Sequence, residues 1–178
     1  MTRQSIVERI YQDNLDLLKF LEEKNEPSFM VQFNTVFAKT MLLSSASYFE
    51  HEICRMIQTF IERKTQNDEC VIAIVKQKAI ERQYHTYFSW KDWQTGNVNS
   101  FFSLFGEVFK DQRSQEVKTN DTLKSSVKAF LEIGNERNKL IHQNFADYTI
   151  EKTAEEVYQL YQQATIFIKF LDNHFRNL

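Results

Sequence analysis

From Phe29 to about Lys64, apolar residues recur at intervals of three and four: Phe33, Val36, Phe37, Met41, Tyr48, Ile53, Ile57, Phe60 and Ile61. That spacing returns side chains to one face of a 3.6-residue turn, so it predicts one long central helix, with Ser44, Ser45 and Ser47 as the place for a bend. A rod of this length needs other helices to cover it. Only three glycines and one proline occur in the chain, whereas β folds need such residues at their many turns. The expectation is an all-α, single-domain bundle of about five to six helices over residues 1–178. At 178 residues and 42% apolar content the chain can bury one core without disulfides or metals, and sixteen phenylalanines supply much of it.

The flanking segments fit that reading. Residues 3–24 form a first amphipathic helix with Ile6, Ile10, Leu17 and Leu21 on one face, ended before Pro27. Residues 70–88 read as a third helix, because VIAIV continues into KQKAIERQ. In the stretch 82–96, Tyr84, Tyr87, Phe88, Trp90 and Trp93 alternate with Arg82, His85 and Lys91, a composition that can stack bases or, as we favour, close the core. Asn97 or Asn99 can cap a short helix bearing Val98, Phe101, Phe102, Phe105, Val108 and Phe109. Residues 111–121 are the most loop-like in the chain, and Asp121 can cap the helix that follows. From Thr149 to about Phe175, Ile150, Ala154, Val157, Tyr161, Ala164, Ile168, Leu171 and Phe175 alternate at four and three, a seam suited to shallow packing inside the same bundle.

Several function classes are disfavoured. Twenty-two basic and twenty-four acidic residues leave the chain near neutral, so any contact with nucleic acid must be local. Cys54 and Cys70 form neither a disulfide framework nor a zinc spacing, and are expected as buried thiols in a reducing compartment. No secretory h-region or membrane-length apolar run is present, which points to a cytoplasmic protein without membrane partners. Gly-rich phosphate loops, GxSxG, HExxH and the di-iron bundle motif are absent, and neither metal nor cofactor is expected.

The chemistry concentrates in the helix after Asp121. Its apolar stripe, Leu123, Val127, Phe130 and Leu131, extends through Gly134, Asn138 and Ile141. A helical glycine costs about 1 kcal/mol relative to alanine, so Gly134 suggests a close approach of another backbone. Asn138 and His142 are an i,i+4 pair on one face, and Arg137 stands beside them. Side chains five apart point roughly 140° away from each other, so Arg137 and His142 share no face unless the helix loosens. Each also has a bland reading, as a solvated arginine, a packing amide and a helix-terminal histidine.

The string Arg137-Asn138-Lys139-Leu140-Ile141-His142 matches RNxxxH, the signature of the HEPN superfamily, and FNTVFAKTMLLSSASYFEHEICRMI resembles the long helix of its RiboL-PSP-HEPN group. The resemblance covers most of residues 29–175. It implies an endoribonuclease in which Arg137, Asn138 and His142 form the site. Glu50 is expected to orient Arg137, because relatives often carry an acid there. His142 can exchange a proton with the ribose 2′-hydroxyl or the leaving oxygen. Arg137 can hold the phosphate, and Asn138 can orient it. The products would be a 2′,3′-cyclic phosphate and a 5′-hydroxyl, formed without metal.

The resemblance further implies a homodimer with a composite site, and Gly134 would then mark the close approach of the copies. It also implies a toxin or antiviral role with a possible cognate antitoxin. The alternatives are a non-catalytic HEPN dimerisation or nucleotide-binding module of a larger assembly, and a plain helical adaptor. His51, His85 and His174 are expected as surface or satisfied residues.

Overall fold

The computed structural model describes residues 4–81, 83–143 and 145–178, so Arg82 and the expected helix start at residue 3 lie outside it. Among the described residues there are seven α-helices and no strand. They are α1 (Ile6–Glu23), α2 (Pro27–Lys64), α3 (Glu69–Val75), α4 (Asn99–Ser103), α5 (Glu107–Thr119), α6 (Asp121–His142) and α7 (Ala154–Asn177).

The 38-residue α2 starts with Pro27 in its first turn and runs unbroken through Ser44, Ser45 and Ser47. Proline is tolerated there because the first helical N–H groups have no partner in any case. Helices α6 and α7 lie along it, and α1 folds back on its N-terminal half. Phe37, Met41, Phe49 and Ile53 of α2, Phe130 and Leu131 of α6, and Phe167 and Leu171 of α7 are almost completely buried. Rings link the three: Phe49 meets Phe130 at 5.7 Å and Tyr161 at 5.4 Å, and Phe130 meets Phe167 at 5.2 Å. The seam of α7 packs within the chain as expected, with Ala154, Val157, Tyr161, Ala164, Ile168, Leu171 and Phe175 all buried. Arg63, in the last turn of α2, donates to the carbonyls of Phe175 and Arg176 and so caps the end of α7.

Element boundaries differ from the sequence reading where side-chain chemistry decides them. Helix α6 is capped by Asn120, whose Oδ1 accepts from the Leu123 N–H at 3.0 Å, and Asp121 is its first residue. Helix α7 begins only at Ala154, because Thr153 and Glu156 form a capping box that leaves Ile150 in the preceding segment. In α1 the buried face holds Val7 and Tyr11, while Ile6 and Leu17 are exposed. Stacking of Tyr11 on Tyr158, with centroids 3.8 Å apart, selects that face.

The loop expected over 111–121 is mostly helix α5, which buries only Phe109 and Val117. Its polar face is laced by Lys110–Glu107 and Arg113–Glu116 pairs one turn apart. The expected helix over Val98–Phe109 is cut at Gly106, whose φ of +95° belongs to the region that favours glycine. Nor does a helix run over 70–88. Helix α3 buries no residue, gives way to a π-helical turn at Lys76–Ile80, and is followed by short 3₁₀ turns at Tyr84–Thr86 and Trp90–Thr95. Leaving the helix lets Tyr87, Phe88 and Trp90 enter the core together. The Ala79 carbonyl accepts the Tyr87 hydroxyl.

Neither thiol is fully buried: Cys54 is half-buried and Cys70 is exposed at the start of α3. Burial, with Glu50 nearby, pushes the Cys54 thiol up to about 11. At pH 8 only about one Cys54 in a thousand would then be thiolate. Alkylation of the native protein should therefore label Cys70 first and leave Cys54 largely unmodified, as read by mass spectrometry of tryptic peptides. Equal labelling of both would contradict the burial described for Cys54.

Candidate active site

Helix α6 stays α-helical to His142, and Gln143 takes an extended conformation directly after it. There is no loosening to bring Arg137 and His142 onto one face, and the two residues line different hollows. The first is narrow, with room for little more than one water; it lies between α2, α6 and the Tyr84–Trp90 segment, and Glu50, Tyr84, His85, Arg137 and Asn138 line it. The second is roomier and is lined by Lys91, Asn135, Asn138, Lys139 and His142. Asn138 and Trp90 belong to both and form the divide.

Within the first hollow, an Arg137 guanidinium nitrogen lies 3.8 Å from Glu50 Oε2, and another donates to Asn138 Oδ1 at 3.1 Å. Both members of the Arg137–Glu50 pair are a third or more exposed, so the pair adds little to stability. Its effect is to hold a planar cation at the mouth of the cleft. The floor is apolar, made by Phe49, Phe130 and Ile133 from the core.

Gly134 carries the main correction to the sequence reading. A Cβ built there would lie 2.1 Å from the Trp90 ring, so the close approach is made by an indole of the same chain, not by a backbone or a second copy. The Trp90 Nε1–H donates to the His85 carbonyl at 3.0 Å, which ties the Tyr84–Thr86 turn to the indole seated on α6. Tyr87, Phe88 and Trp90 thus close the core, while His85 and Lys91 remain exposed. The stripe of α6 also turns outward earlier than expected, since Leu140 is buried and Ile141 is about half exposed.

His142 is exposed, and no hydrogen bond holds its imidazole among the described residues. The segment after it is pinned from three sides. Lys39, buried on α2, donates to the Phe145 carbonyl at 2.7 Å with its ammonium 4.9 Å from the Phe145 ring centre. The Tyr148 hydroxyl donates to Glu136 Oε2 at 2.7 Å, and Lys152 pairs with Glu132 at 2.8 Å. Burial works against the charge on Glu136, but hydrogen bonds from Lys139 and Tyr148 hold its carboxyl below the usual value.

Of the residues set aside at the sequence level, His51 is exposed and His174 bridges Glu116 and the Phe170 carbonyl. His85 and Tyr84, by contrast, border the Arg137 cleft. Their involvement had no periodic signal, because it depends on a turn of irregular backbone. Among the described residues no cluster of three or more metal-ligating side chains occurs, and no helix is long and apolar enough to cross a membrane.

An all-helical fold with a half-buried arginine and amide and an exposed histidine near the end of its penultimate long helix is the arrangement of a HEPN-type module. Residues 8–177 match the family described as RiboL-PSP-HEPN, and the chain belongs to that family. No curated protein and no solved structure is significantly similar to it.

Proposed function

We propose that this chain is a metal-independent endoribonuclease, a single HEPN domain whose site is built from Arg137, Asn138 and His142 with Glu50 in support. The observation that carries the reading is the pair of hollows on either side of Asn138, one presenting a guanidinium and the other an imidazole. RNA phosphate would sit on Arg137, with Asn138 as a hydrogen-bond partner and Glu50 limiting the motion of the guanidinium. His142 would take the 2′-hydroxyl proton or return one to the 5′-oxygen. Attack of O2′ on phosphorus and departure of O5′ leave a 2′,3′-cyclic phosphate and a 5′-hydroxyl. Lys91, which lines the same hollow as His142, supplies local positive charge that the near-neutral chain lacks overall, while Lys139 there is paired with Glu136.

Because one helix presents Arg137 and His142 to separate hollows, a two-fold homodimer completes the site by bringing the arginine of one copy to the histidine of the other. A cytoplasmic toxin or antiviral effector held in check by an antitoxin is the setting such an activity suits. The test is incubation of the purified protein with RNA in EDTA, followed by identification of product ends. Cyclic phosphate ends are expected. A strict dependence on added metal, or 5′-phosphate products, would falsify the mechanism.

A further inference from the structure

Tyr84 enters the Arg137 cleft from the irregular segment between α3 and α4. Its ring is fixed by neighbours on three sides, with centroids 6.1 Å from Tyr87, 6.1 Å from Phe88 and 5.6 Å from Trp90. Trp90 in turn is seated against Gly134 on α6. The position of the phenol relative to Arg137 is therefore set by core packing, not by a mobile loop. Yet its hydroxyl, whose charged neighbours are Glu50 and Arg137, makes no hydrogen bond among the described residues. Only Ser45 Oγ and Arg113 Nε are buried without a partner among the described residues, so the Tyr84 hydroxyl is open to solvent. A ligand at the mouth of the cleft can take the place of water on it.

Building on the ribonuclease reading, we propose that the Tyr84 hydroxyl contacts the substrate, donating a hydrogen bond to a non-bridging oxygen of the phosphate held by Arg137. The two groups divide the work by chemistry. Arg137 brings a permanent charge in a planar fork, and Tyr84 brings a neutral donor on a rigid ring. Burial, then Glu50 and Cys54, push the phenol well above its ordinary value against the pull of Arg137. It therefore keeps its proton near neutral pH and remains a hydrogen-bond donor. A fixed donor aimed at a phosphoryl oxygen assists most where negative charge builds up during attack.

Tyr84→Phe removes the donor and keeps the ring, so packing against Trp90 is retained. Expected is a fall in kcat of about 100-fold with KM within about twofold of wild type and an unchanged melting temperature. A second measurement does not depend on how much variant folds. RNA with sulfur in place of one non-bridging oxygen at the scissile linkage should be cleaved more slowly by the wild type for one stereoisomer, and Tyr84→Phe should lose most of that selectivity. Wild-type kcat in Tyr84→Phe, or identical stereoisomer ratios in the two proteins, overturns the assignment while leaving Arg137 and His142 untouched. Failure of the wild type to cleave any RNA removes the ribonuclease reading and this contact with it.

Discussion

Arg137→Ala is expected to lower RNA cleavage by about 100- to 1,000-fold while the protein remains folded. The guanidinium is a third exposed and its ion partner Glu50 is similarly open, so the lost charge leaves no uncompensated group in the core. Cleavage assays and thermal melts on the same sample separate the two effects. His142→Ala should be comparably inactive, because removing a positioned proton-transfer group typically costs about 100- to 10,000-fold.

Mixing the two inactive variants carries more information than either alone. If one copy supplies arginine and the other histidine, a heterodimer of Arg137→Ala with His142→Ala keeps one intact site out of two. Random exchange of subunits would then restore about a quarter of wild-type activity. If both residues act from the same copy, every site in the mixture lacks one of them and activity stays at background. The separate hollows for Arg137 and His142 lead us to expect restoration.

The second large effect concerns stability. Gly134→Ala would ordinarily favour a helix by about 1 kcal/mol. Here the added methyl would lie 2.1 Å from the Trp90 ring, and that ring cannot swing away cheaply. Phe88 and Phe130 pack on it at 5.0 and 5.6 Å, and its N–H is engaged by His85. Overpacking of this kind costs about 1–3 kcal/mol, enough to reverse the sign of the propensity term. We expect a lower melting temperature, by roughly 2–4 °C for each kcal/mol lost in a chain of this size. Gly134→Ala combined with Trp90→Leu should recover part of the loss that Trp90→Leu does not itself explain. A single Gly134→Ala variant more stable than wild type would refute the contact.

Long-range periodicity made most of the architecture legible. Helix α2 and the seam of α7 could be drawn from residue spacing, since a helix of many turns must bury one stripe and repeats its signal. The region from Glu69 to Thr119 was less readable. There the chain is turned by individual events: a π-helical turn, Gly106 at positive φ, and a tyrosine hydroxyl taking a backbone carbonyl. Such events have no period. For the candidate site, Arg137, Asn138 and His142 stood out as polar residues continuing an apolar stripe, and their separation onto two hollows follows from helical geometry. Tyr84 and His85 were recognisable only as aromatic or titratable types, because what brings them beside Arg137 is the docking of Trp90 on Gly134.

That docking limits how such a chain can change over evolutionary time. The floor of the Arg137 cleft consists of Phe49, Phe130 and Ile133, which are also central to the core, so reshaping the floor would loosen the whole bundle. The rim is under no such constraint. Glu50 and His85 bear little packing load, and drift at those positions can change the chemistry the cleft presents at almost no cost in folding. The mouth of the cleft is thus free to diverge while the scaffold beneath stays fixed.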